Sequence, residues 1–167
     1  PLRRLTRGPG ILVSLSATRD FQTLFYSSVR LGNADIFSRD MRTGSETTLD
    51  AGPPGEKWYP TVSPSGRQLA FGMRTRGGER ATRPIFIANP LDGTWRTLGD
   101  DCGGRPRQWV DERLLIIERF GRLNTIAVID TDTGEQRELL ESAERSVTNA
   151  RLSPDRLWVA FEASRPG

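Results

Sequence analysis

Apolar residues along the chain come in short runs, each closed by Ser, Pro, Gly or Asp, and the runs alternate with polar stretches of similar length. The clearest set reads WYPTVSP (58–64), RQLAFGM (67–73), RPIFIANP (83–90) and TWRTLGD (94–100). Short runs rich in Val, Ile, Phe and Trp between turn residues predict β-strands. RLLIIER (113–119) and NTIAVID (124–130) are apolar on both alternating sets of positions, which predicts strands buried on both faces. SETTLD (45–50) and EQRELL (135–140) are more polar and read as outer strands facing water. No segment shows the 3.6-residue period of an amphipathic helix.

The runs repeat. VSPSGRQLAF (62–71) returns as LSPDRLWVAF (152–161), with Ser63 and Ser153 ninety positions apart, twice a period of 45. A worn copy, RQWVDERLLIIER (107–119), falls at the midpoint, and SLSATRDFQTLFYSS (14–28) lies upstream, with Phe25 taking the place of Phe71. A second landmark keeps the same beat: FSRDMRTGSETTL (37–49), IANPLDGTWRTL (87–98) and VIDTDTGEQREL (128–139) turn at Gly44, Gly93 and Gly134. Glycine at such a place suits a hairpin turn that needs positive φ. Four strands per period of about 40–50 residues is the spacing of a β-propeller blade.

The pattern SPSGRQLAF, with downstream strands such as NADIFSRD and MRTGSETTL, resembles the WD-repeat-like blades of the TolB-type bacterial β-propeller. The resemblance covers essentially the whole chain, is most specific at 62–71 and 152–161, and weakens at WVDERLLII, where the Ser-Pro turn is missing. It implies an all-β propeller of four-stranded antiparallel blades, with binding on a face or mouth of the disc. It also implies a docking platform for partner proteins and, if TolB-like, a periplasmic or extracytoplasmic setting. Related blades accompany peptidases, oligogalacturonate lyases, transcriptional regulators and kinases, so the fold alone assigns no function.

In these terms residues 1–10 are expected to be the last strand of a preceding blade, because RRLTRGPG matches TTLDAGPPG. Blades follow at 11–50, 56–100 and 105–141, and 146–167 supplies the first two strands of a further blade, about three and a half blades in all. Such a set does not close on itself. Either the chain is a piece of a longer propeller of about six or seven blades, or protomers share strands; both leave apolar faces and strand edges exposed.

Composition narrows the chemistry. The 167 residues include one cysteine, Cys102, and no histidine. A disulfide within the chain, a Cys/His zinc site and a histidine general base are therefore excluded, and Cys102 has no base to activate it. No GxSxG elbow occurs. No apolar run approaches the ~20 residues that span a bilayer, and PLRRLTRGPG lacks the apolar block of a signal peptide. Lys57 is the only lysine among 24 basic residues, against 21 acidic ones, for a net charge of +3. Because the arginines are interspersed with acids, nucleic acid is not the expected partner.

Asp35, Asp40, Asp92, Asp130 and Asp132 are expected at turns, bonding their own backbone rather than a metal. Trp58, Trp95, Trp109 and Trp158 occupy different repeat positions and are expected to pack in the core or between blades. The Ser-Pro turns are expected to be scaffold. No catalytic, cofactor or metal residue is expected. Candidates for a binding surface are Asp100 and Asp101, the one local acidic cluster, together with Trp58 and Arg105. The expected function is a noncatalytic module that binds a protein or peptide, a docking or sensory part of a larger bacterial protein, able to associate through open blade edges. The alternative is the propeller part of an enzyme, gating a peptidase or acting on carbohydrate, with its catalytic residues outside this chain.

Overall fold

The structure, a computed structural model, describes residues 11–30, 32–74, 84–99, 103–119 and 124–165. The strand expected within 1–10, the pair Asp100-Asp101 and Cys102 lie outside the described residues. All regular structure among the described residues is β: fourteen strands in meander order. Strands β1 (Ile11–Ala17), β2 (Thr23–Arg30), β3 (Asn33–Asp40) and β4 (Glu46–Thr48) form one four-stranded antiparallel sheet. The second contains β5 (Glu56–Val62), β6 (Leu69–Arg74), β7 (Ile85–Ala88) and β8 (Trp95–Thr97). The third contains β9 (Arg105–Trp109), β10 (Leu114–Arg119), β11 (Asn124–Asp130) and β12 (Gln136–Ser142). Strands β13 (Ser146–Leu152) and β14 (Val159–Ser164) make a two-stranded sheet. The expected propeller architecture, about three and a half blades with open ends, is what forms.

Two repeated turns set this geometry. Between the first and second strands, the hydroxyls of Thr18, Ser63 and Ser153 accept the amides of Thr23, Gln68 and Trp158, each five residues on. Phe21, Gly66 and Arg156, three residues into those turns, all take positive φ. In the third blade, where the Ser-Pro pair is absent, the Asp111 carboxylate holds the turn instead by accepting the amides of Arg113 and Leu114, both at 2.9 Å. Between the third and fourth strands, the amides of Gly44, Gly93 and Gly134 donate to the carbonyls of Asp40, Asn89 and Asp130. Those glycines have φ of 77°, 74° and 76°, a conformation a side chain would strain.

The sheets stack face to face on apolar interfaces. Phe25, Ile36 and Leu49 of the first blade meet Val62, Leu69, Phe71 and Phe86 of the second. Ala70, Ile85 and Ile87 of the second meet Trp109, Leu115, Ile117 and Ile129 of the third. Ile116 and Ile126 of the third meet Val147 and Ala150 of the last. Strands buried on both sides explain why RLLIIER and NTIAVID carry apolar residues at consecutive positions.

The register corrects one expected equivalence. Ala17 pairs with Leu24 as Val62 pairs with Leu69, so the counterpart of Phe71 is Tyr26, not Phe25. The ring pairs agree: Tyr26 stacks on Phe37 at 5.7 Å and Phe71 on Phe86 at 5.6 Å. A one-residue slip matters because it moves a side chain to the other face of the sheet. Phe25 is therefore buried against the second blade, and Tyr26 on the opposite face of the first.

The two ends of the stack differ. The outer face of the first blade is covered, with Tyr26 and Phe37 buried and the Arg30 guanidinium 3.9 Å from the Phe37 ring centroid. The other end is open: Leu157 is 74%, Trp158 73% and Phe161 44% exposed.

Candidate functional site

The first strand of every sheet, β1, β5, β9 and β13, lies toward the inner edge of the stack, each beside the next. All four are bulged: their registers slip at Leu12/Ser14, at Trp58/Thr61, opposite Ile116/Ile117 and at Thr148/Arg151. A bulge bends the strand and re-aims its side chains. At two of them a non-glycine residue sits at left-handed φ, 58° for both Tyr59 and Asn149, one repeat position seen in alternate blades. Such a conformation costs on the order of 1–3 kcal/mol and is kept where the surroundings require it.

The inner strands enclose a concavity of about 930 Å³. Its walls carry Leu15, Tyr59, Pro60, Pro64 and Pro154 as apolar surface and Arg19, Arg105, Arg107 and Arg151 as charge, and no carboxylate lines it among the described residues. Several of the uncharged polar side chains around it already make hydrogen bonds within or between blades. Ser16 Oγ accepts the Val62 amide at 3.1 Å. Gln108 grips Leu152 both ways, Oε1 accepting its amide at 2.8 Å and Nε2 donating to its carbonyl at 3.4 Å. Asn149 Oδ1 accepts from Arg107. Trp109 Nε1 donates 2.7 Å to the Thr61 carbonyl, and Ser14 Oγ lies 2.8 Å from Ser27 Oγ.

The arginines differ in their surroundings. Arg107 Nε stands 3.1 Å from Oε1 of Glu118, a carboxylate buried between the third and last blades. Arg105 lies 4.8 Å from the Tyr59 ring centroid, a cation–π placement. Arg151 donates to the Ala150 carbonyl at 2.9 Å and has no ion-pair partner among the described residues. Partial burial and then the neighbouring Arg107 charge hold its guanidinium below the ordinary range, with Glu118 opposing them.

The sequence candidates distribute unevenly over this site. Arg105 lines the concavity. Trp58 does not; it faces a separate cavity of about 180 Å³ with Met73, Arg74 and Gly104, and its neighbour Tyr59 lines both. Of the four tryptophans, Trp109 has the expected interblade role. Trp95 packs edge-on against Phe86 yet is 46% exposed, because β8 is an outer strand, and Trp158 is exposed where no further blade covers it.

Asp40, Asp92 and Asp130 bond their own turns as expected. Asp35 instead lies within β3 and meets Lys57 of the next blade at 3.5 Å. Asp132 reaches Arg113 at 3.7 Å and Arg96 of the preceding blade at 3.9 Å. Tyr59, Arg107 and Arg151 escaped sequence reasoning. Their signal is weak: a period-45 alignment places Tyr59 over Asn149, but nothing local announces a bulge.

Among the described residues no group of three or more Cys, Asp or Glu side chains gathers to hold a metal ion, and no helix is long and apolar enough to cross a membrane. No family model matches the sequence, and no curated protein matches it. Solved structures do. TolB from Acinetobacter baumannii superposes with a TM-score of 0.77 at 19% identity, over 94% of this chain and 39% of that one. A structure of a nidogen/laminin complex gives 0.76 at 12% identity, over 93% and 58%. Oligogalacturonate lyase from Vibrio parahaemolyticus gives 0.67 at 14%, over 98% and 49%. The chain thus has the TolB-type β-propeller fold and spans well under two thirds of each of these structures.

Proposed function

We propose that this chain is a noncatalytic binding module that takes a protein or peptide segment into the concavity of its inner strands. The single observation behind this is the form of that concavity: about 930 Å³, walled by apolar residues and guanidinium groups, with several of its uncharged polar side chains already bonded within or between blades. That volume lies in the ~300–1,000 Å³ range of ligand-binding clefts. A hydrolytic constellation would need a nucleophile with an adjacent base, and the chain contains no histidine. Extended nucleic acid is disfavoured, since these arginines line a hollow rather than a track across a face. The module would serve as a docking or sensory part of a larger bacterial protein, and the open end at Leu157, Trp158 and Phe161 could support self-association.

The test is selection from a random displayed peptide library. Recovered peptides should bind at least ~10-fold more weakly to Tyr59→Ala and to Leu15→Ser, the latter an exposed position, while Trp95→Ala on an outer strand changes nothing. Enrichment of peptides indifferent to Tyr59 and Leu15, or none at all, would refute the reading. The second reading, the propeller part of an enzyme whose catalytic residues lie outside this chain, has the likeness to oligogalacturonate lyase in its favour.

A further inference from the structure

We infer that the segment seated in the concavity is acidic, a peptide in which carboxylates alternate with apolar side chains, and that Arg151 supplies its counter-charge. This deepens the proposed function and rests on it. The first ground is charge segregation. The chain carries an excess of only three positive charges, yet four arginines line this one hollow and, among the described residues, no carboxylate lines it. Walls of one sign around a partly desolvated cleft focus the field and favour a ligand of the opposite sign.

The second ground is the division of labour among those arginines. Glu118 and Asn149 fix where Arg107 points. Arg151 is held near it by a bond to the Ala150 carbonyl, with no carboxylate of its own among the described residues. Burial and the Arg107 charge disfavour the Arg151 cation more than the Glu118 carboxylate favours it, and a ligand carboxylate between the two guanidinium groups would relieve that cost.

The third ground separates peptide from acidic sugar. A uronic-acid chain offers many hydroxyl groups and needs matching uncharged polar partners. Ser14, Ser16, Thr61, Ser63, Gln108 and Asn149 are the side chains of that kind here, and each already makes a hydrogen bond within or between blades. The surface left over is guanidinium, Tyr59, Leu15 and proline, which suits carboxylates spaced by apolar side chains.

The experiment measures fluorescence anisotropy of a labelled octapeptide of alternating Glu and Leu, beside its Gln-Leu and Lys-Leu counterparts, with unlabelled hexagalacturonate as competitor. The Glu-Leu peptide should bind at least ~10-fold more tightly than Gln-Leu, and more weakly as NaCl rises from 50 to 300 mM. Arg151→Gln should remove about tenfold from Glu-Leu binding and leave Gln-Leu binding unchanged, while Arg137→Gln, on the exposed outer strand β12, has no effect. Equal binding of Glu-Leu and Gln-Leu, both lost with Leu15→Ser, would overturn the acidic inference and leave the binding module standing. Binding of none of the three peptides at a site sensitive to Leu15→Ser would overturn both. Hexagalacturonate that binds more tightly than Glu-Leu and shares its dependence on Arg151 would replace the peptide by an acidic sugar and overturn the inference.

Discussion

Glu118 Oε1 accepts the Ala150 amide at 2.9 Å and stands 3.1 Å from Arg107 Nε, so one carboxylate joins the bulge of β13 to the inner strand of the blade before it. Glu118 is fully buried, its other oxygen has no hydrogen-bond partner among the described residues, and Arg107 Nε meets it as a charge contact rather than an aligned hydrogen bond. A partly satisfied buried pair is a poor source of net stability, but breaking it strands a charge. The pair also fixes where Arg107 points, which links the blade interface to the candidate binding site.

Glu118→Ala should therefore destabilise by about 3–5 kcal/mol, since it leaves the Arg107 cation without its counter-charge and the Ala150 amide without its acceptor. The exposed pair of Arg119 and Glu138, although closer at 2.6 Å, should yield less than about 1 kcal/mol for Glu138→Ala. Urea denaturation of the two variants measures both. Similar losses would mean that burial does not set the energetics of the Glu118 pair.

Gly104 and Gly32 make a second contrast. A Cβ on Gly104 would fall 2.4 Å from the Glu118 carbonyl oxygen, a backbone atom that cannot swing away, whereas one on Gly32 would meet nothing within 4 Å. Gly104→Ala should separate β9 from β10 and cost several kcal/mol, while Gly32→Ala should cost about 1 kcal/mol, for its φ of 85° alone. Thermal unfolding distinguishes them, and an innocuous Gly104→Ala would show that the two strands can move apart freely.

The Arg113 side chain holds the Asp130 carboxyl down to about 2 from its ordinary 3.8, with the amides of Thr133 and Asp132 assisting against desolvation. A lowered carboxylate pKa favours the folded state above pH 3.8, and that contribution disappears as pH falls from there toward 2. Arg113→Ala should return the Asp130 midpoint most of the way to 3.8 and make the turn titrate earlier on acidification. Carboxyl carbon NMR reads the midpoint directly. A value still near 2 in the variant would assign the shift to the turn amides.

Much of this fold was legible because the blade repeats its turn chemistry. Ser63 and Ser153 announce the first turn, Gly44, Gly93 and Gly134 the other, and the doubly apolar strands give the stacking. The phase error at Phe25 arose from the loss of the Ser-Pro pair in the first copy, where Thr18 takes the serine's role. The site was less legible. Its outline depends on bulges, and a bulge is a property of how two strands pair, which Trp58-Tyr59-Pro60 does not reveal. Arg105 was found by its chemistry. Arg107 and Arg151 were hidden among interspersed charges until the fold turned them to one side.

The open end offers the last prediction. Leu157 and Trp158 sit where a turn enters β14, and their hydrogen bonds among the described residues are made by backbone: Leu157 N–H donates to Asp155 Oδ1 at 3.1 Å, Trp158 N–H to Ser153 Oγ at 3.0 Å, and the Trp158 carbonyl accepts the Ser153 amide at 2.8 Å. Their side chains contribute little to folding while forming, with Phe161, an exposed apolar group beside the free edge of β14. Exposed patches beside an unpaired strand drive association. The double variant Leu157→Asn, Trp158→Ser should thus stay within about 0.5 kcal/mol of the parent in stability, as surface changes do. Its self-association at high concentration should fall several-fold in sedimentation velocity. If association persists undiminished, the contact does not run through Leu157 and Trp158.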